Sequence, residues 1–152
     1  DLDETYTRAY YRRAVVELAI DDQAAAADDL FTYAQLFVGG EDIETATLDA
    51  GDSDQFVMEE GFFYAYDFEA EEGQLINITV ESSEGTDPLI ALIGPNESGL
   101  AANDDRDFSG GDYNAAIVDF EAPEDGTYML LIFHSYGAVT EGEVEVSLEV
   151  DD

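Results

Sequence analysis

The sequence predicts a mostly β protein, an antiparallel, jelly-roll-like β-sandwich of about eight strands preceded by an N-terminal α-helical segment. Three observations carry that prediction. Apolar residues recur with helical spacing through the first forty positions. From Gly51 onward the period changes to two, in short runs separated by Gly-, Pro- and Asn-containing turns. The composition also permits a core: Leu, Ile, Val and Phe make up 39 of the 152 residues, with nine Phe and nine Tyr. That share, about a quarter, lies above the ~20% level below which a charged chain stays disordered.

Residues 1–40 form the first unit. Leu2, Tyr6, Tyr10, Ala14 and Leu18 recur every four residues, with Ala9, Tyr11 and Val15 beside them. Arg8, Arg12 and Arg13 are placed in the second half of that helix, where cations complement its dipole. Asp21-Asp22 marks a break or an N-cap. A second stripe follows through Ala27, Leu30, Phe31, Ala34, Phe37 and Val38, and Gly39-Gly40 stops it. One bent helix and two helices both satisfy this pattern. Either must bury its apolar face against itself, the following domain or another chain.

Residues 41–53 are expected to be a linker, and 54–152 the sandwich. Phe62, Tyr64, Tyr66 and Phe68 alternate along one face, as do Ile76, Ile78 and Val80 opposite Asn77 and Thr79. The run 88–94 is almost continuously apolar and suits a central strand. Residues 113–121 and 126–134 supply two further strands. The last strand is the clearest, with Val144, Val146, Leu148 and Val150 inward and Glu143, Glu145, Ser147 and Glu149 outward.

Charge sets the first functional limits. There are 38 acidic residues against four Arg and no Lys, a formal net charge of −34, where a small soluble domain usually carries ~2–8 charges. No basic patch exists to neutralise phosphates, so nucleic acid is excluded as a partner, and no polybasic anchor exists for an anionic membrane. No apolar run reaches the roughly eighteen residues of a transmembrane helix. Thirty of the thirty-eight acids lie in residues 41–152, alongside Arg106 alone. Such self-repulsion is quenched when salt shortens the Debye length to ~3 Å at 1 M. The surface is similar to that of extreme halophiles, haloarchaea in particular, and predicts unfolding at low salt unless divalent cations are present. Cysteine is absent, which removes disulfides and thiolate sites. Asp1-Leu2-Asp3-Glu4 has neither the basic nor the apolar region of a signal peptide.

From about Asp54 to Val150 the chain resembles the bacterial and archaeal pre-peptidase C-terminal domains, which are related to the collagen-binding domains of clostridial collagenases. The resemblance rests on YDFEAEEGQLINITV, TDPLIALIGPNESGLAANDD, APEDGTYMLLI and the closing GEVEVSLEV. It departs from the family pattern at Val144, where a Tyr is favoured. The family implies a secreted, non-catalytic module beside extracellular hydrolases, and relatives that bind polymers or use calcium. Residues 1–40 lie outside it. The turn 125–127 delivers Tyr128, either as a tyrosine corner or as an ordinary buried strand aromatic.

The densest set of oxygen donors is Asn103, Asp104, Asp105, Asp107 and Asp112, with Asp87 one hairpin earlier. Calcium takes about six to eight oxygens from carboxylates, amides and carbonyls on such a loop. It is not an EF-hand: counted from Asp105, the twelfth position is Ala116. In a chain this acidic the same cluster also fits plain solvated surface. His134 alone cannot build a catalytic constellation, and no nucleophile elbow, zinc motif or phosphate loop occurs. Asn77 and Asn96 begin Asn-x-Ser/Thr sequons and are candidate glycosylation sites. Tyr113 and Tyr136, near strand ends, are candidate binding aromatics.

These features support a secreted or cell-surface binding module with a protein or polysaccharide partner. One alternative is a structural subunit of an extracellular filament or surface layer, self-associating through residues 1–40. Another is the C-terminal fragment of a secreted hydrolase.

Overall fold

The computed structural model describes residues 4–59, 63–82, 86–105, 114–135 and 141–152. Among the described residues two helices, α1 (Glu4–Ala19) and α2 (Gln23–Phe37), precede nine strands. The strands are β1 (Ala46–Thr47), β2 (Ser53–Met58), β3 (Tyr64–Ala70), β4 (Leu75–Ser82), β5 (Pro88–Ile93), β6 (Gly99–Asn103), β7 (Ala115–Glu121), β8 (Gly126–His134) and β9 (Gly142–Asp151). They form a five-stranded sheet of order β1-β3-β8-β5-β6 and a four-stranded sheet of order β2-β9-β4-β7. Every pairing is antiparallel except that of β1 with β3.

The sandwich therefore has eight antiparallel strands and one short addition. Thr45 and Thr47 hydroxyls both donate to the Asp67 carboxylate at 2.8 Å, fastening β1 to β3. Leu48 just beyond is buried in the core, so the stretch 41–53 contributes both a strand and a core side chain.

Asp21-Asp22 separates two helices. Asp22 caps α2, its Oδ1 accepting from the Ala25 N–H at 3.3 Å. The helix ends where Gly39 and Gly40 take φ of 73° and 81°, and their N–H groups bond the Leu36 and Gln35 carbonyls. The first stripe is rotated from the sequence expectation. Thr7, Ala14 and, in part, Tyr11 and Leu18 face inward, whereas Tyr6 is 54% exposed. The dipole role expected for the arginines fails as well. The last turn of α1 holds no basic residue, and the effect fades within a turn. Arg13 instead clamps the helix pair: its Nε and Nη2 both donate to the Asp29 carboxylate on α2, the second at 2.5 Å.

Two cores result. Between the sheets lie Tyr66, Phe68, Ile76, Ile78, Val80, Ile90, Leu92, Tyr128, Leu130, Ile132, Val144, Val146 and Leu148. On the other face of the five-stranded sheet, Leu89, Ala91, Ile93, Leu131 and Phe133 meet Ala14, Ala27, Leu30, Phe31 and Ala34 of the helices. Strand β5 is buried at all six positions because it is covered on both sides, which explains its unbroken apolar sequence. Val144, Val146 and Leu148 point inward as expected; Phe62 lies outside the described residues.

Helix and sheet approach so closely at β6 that only glycine fits. A Cβ on Gly99 would lie 2.3 Å from the Asp28 nitrogen, and the Gly99 N–H donates to Asp28 Oδ1 at 2.5 Å. Tyr128 is a tyrosine corner: fully buried, its hydroxyl donates to the Glu124 carbonyl at 2.6 Å. A bulge interrupts the β4–β7 ladder after Ile76, where Asp119 takes φ of 52° and donates its N–H to Asn77 Oδ1 at 2.8 Å.

Candidate metal centre at the sheet rim

The antiparallel order β8-β5-β6 brings the start of β5 and the ends of β6 and β8 to one rim of the five-stranded sheet. Asp87 immediately precedes β5, Asp104 and Asp105 follow β6, and Ser135 follows β8. Strand register thus assembles groups that lie seventeen to forty-eight positions apart. The Ser135 N–H donates to the Asp87 carbonyl at 2.7 Å, closing the corner.

Carboxylate oxygens of Asp87, Asp104 and Asp105 lie within 4.8 Å of one another. Two oxygens on opposite sides of one calcium, each at roughly 2.4 Å, are separated by about that distance. Oδ1 of Asp87 and Oδ1 of Asp104 are both buried and accept no hydrogen bond from the described residues. Burial, followed by the charges of Asp104 and Asp105, pushes the Asp87 carboxyl up to about 7. Burial also raises Asp104, opposed by a hydrogen bond from Ser135. The site therefore favours either a proton or a cation over three bare carboxylates.

The other donors expected from sequence fall differently. The Asn103 amide oxygen accepts from the Ala116 N–H at 3.0 Å and stitches β6 to β7. Asp107, Asp112, Tyr113 and Tyr136 lie outside the described residues. Ser135 was not foreseen, because a Ser after a strand carries no local signal and only the register brings it to Asp104. His134 is engaged structurally: Nε2 donates to the Glu59 carbonyl at 2.8 Å, and its own carbonyl accepts from the Tyr11 hydroxyl.

The two sequons differ. Asn77 is half-buried on β4, an interior strand, with its side chain committed to the β7 bulge. Asn96 is exposed in the β5–β6 turn, where its Oδ1 accepts from the Ser98 N–H at 3.2 Å and from the Ser98 hydroxyl at 2.5 Å.

Fold and rim together define a two-sheet β module with a helical cover and a compact carboxylate cluster. Residues 65–134 match the family model described as the bacterial pre-peptidase C-terminal domain. Among solved structures, the pre-peptidase C-terminal domain of collagenase from Bacillus anthracis is similar at 16% identity and a TM-score of 0.59, over 72% of this chain and 98% of that one. The Aeromonas hydrophila periplasmic inhibitor of g-type lysozyme is similar at 14% identity and a TM-score of 0.50, over 71% of this chain and 98% of that one. No curated protein matches in sequence. Among the described residues, no helix is long and apolar enough to cross a membrane.

Proposed function

We propose that the chain is a secreted or cell-surface, non-catalytic β-sandwich module of a salt-rich environment, acting as an accessory or binding domain and stabilised by calcium at Asp87, Asp104 and Asp105. The observation that carries the metal reading is the buried pair of carboxylate oxygens, on Asp87 and Asp104, that no donor among the described residues satisfies. An uncompensated buried carboxylate is costly, and a hard divalent cation is the ligand class that satisfies several at once. Water would complete the coordination. The family match over 65–134 supports the accessory role. The absence of Lys and the net charge of −34 support the high-salt setting. The exposed Asn96 turn is the better placed of the two glycan acceptors.

The test is thermal unfolding of chelator-treated protein at fixed high NaCl, with and without millimolar calcium. Calcium at a hundred times its dissociation constant adds about 2.7 kcal/mol, so the melting temperature should rise by several degrees, and Asp87→Asn should abolish the rise. An unchanged melting temperature in the parent protein would rule out calcium at this rim.

A further inference from the structure

The cations of the described residues are confined to α1, where Arg13 is paired with Asp29 of α2 while Arg8 and Arg12 stand exposed. Tyr6 at 54%, Val16 at 60% and Ile20 at 70% are exposed with them. Positions 5–16 contain no acid, in a chain where one residue in four is acidic. The acid that follows, Glu17, is turned inward, and burial with the nearby Asp29 raises its carboxyl. The outer face of α1 is therefore cationic and apolar on a body that is otherwise strongly anionic.

On the far side of the molecule, the outer face of the four-stranded sheet has the opposite character. A groove of about 250 Å³ is lined by Gln55, Glu81, Glu143 and Glu145. Glu145 sits between Gln55 and Glu81 in the register, and the neighbouring position pairs Glu143 with Val57, which is 51% exposed. Three carboxylates with an apolar neighbour are what a guanidinium flanked by aliphatic side chains would match.

We propose that α1 of one copy seats on the β2-β9-β4 face of a second copy, with Arg12 among Glu81, Glu143 and Glu145 and with Val16 and Ile20 against Val57. The two surfaces lie on opposite sides of a three-layer body, so the contact is heterologous and copies add head to tail. Two bodies of charge −34 repel at long range. Shortening the Debye length from ~10 Å at 0.1 M salt to ~3 Å at 1 M removes that repulsion but spares groups in direct contact. Assembly should therefore strengthen as salt is raised. This inference is independent of whether the rim binds calcium.

Sedimentation velocity over a concentration series, at about 0.1 M and about 1 M NaCl, provides the test. At the higher salt the parent chain should sediment faster as its concentration rises. Arg12→Glu and Glu145→Arg should each weaken association by about tenfold or more, equivalent to roughly 1.4 kcal/mol. The double exchange should restore it. Arg12 is exposed and Glu145 is half-buried on the outer face of β9, where its Oε2 accepts from Gln55 Nε2 at 2.8 Å; circular dichroism checks that each variant folds. A parent chain that stays monomeric near millimolar concentration overturns the proposal, as does association indifferent to both exchanges. Arg12-dependent binding of polyglutamate by a chain that does not self-associate would also overturn it, assigning the surface to an acidic polymer.

Discussion

The two sheets are made of similar strands but meet different surroundings. The five-stranded sheet is covered on both faces, by the opposing sheet and by the helices; its interior strand β5 is buried throughout and β8 is buried from Leu130 to Phe133. The four-stranded sheet buries one face and turns Glu81, Glu143 and Glu149 to solvent. The difference shows where this chain can tolerate so much negative charge. Acids are carried by the faces and rims of the sandwich, and the doubly covered layer is left almost free of them.

If the helical cover is part of the fold, its seam should cost as much to damage as the inter-sheet core. Leu131→Ala, on the helix-facing side of β8, should lose about 2–5 kcal/mol by denaturant titration, comparable to Leu148→Ala between the sheets. A loss well under 1 kcal/mol at Leu131 alone would make the helices an accessory. Gly99→Ala probes the same seam more locally. Its Cβ would strike the α2 backbone, so a loss of about 1–3 kcal/mol is expected from overpacking. Hydrogen exchange should accelerate in α2 before it does in β9; uniform acceleration would contradict the layered picture.

The rim of the covered sheet has its own signature. Asp87 has a folded pKa of about 7, above the ordinary value of about 3.9. The folded state therefore holds its proton more tightly than the unfolded chain. That contribution is complete below about pH 4 and is lost as pH rises through 7. The calcium-free melting temperature should fall between pH 5 and pH 8, with the slope reduced in Asp87→Asn; equal slopes in both proteins would remove Asp87 as the cause. The smallest effect belongs to the open sheet, where Glu81 and Glu145 sit directly opposite. Glu81→Gln should stabilise by about 0.2–1 kcal/mol at low salt and by almost nothing near 1 M. A salt-independent gain would point to packing instead of charge.

The strands were legible because burial on one face writes an alternation into the sequence, as at Val144, Val146 and Leu148. The helical break was legible as a possibility, and the Asp22 cap decided it. What the sequence concealed depends on register and on contacts between layers. Thr7 turns inward in place of Tyr6 because α1 rests on α2 through Ala14 and the Arg13–Asp29 pair. Gly99 reads as one more turn glycine until α2 is laid against it. Asp87, Asp104 and Asp105 stand among the oxygen donors the sequence singles out, but the pairing that carries Asp87 to the other two, and Ser135 to Asp104, is a property of the antiparallel register.

The bulge where Asp119 donates to Asn77 has a consequence for how copies can meet. Strand β7 lies at the border of its sheet, and an uninterrupted border strand offers a ready row of donors and acceptors to any passing extended chain. Here that row is broken and bent, with the charged Asp119 and Glu121 exposed beside it. The other sheet ends in the two-residue β1 and in β6, which packs beneath α2. Borders that are kinked, short or roofed resist strand addition and the amyloid-like growth it seeds, which leaves β2, the exposed far border of the four-stranded sheet, as the open edge among the described strands.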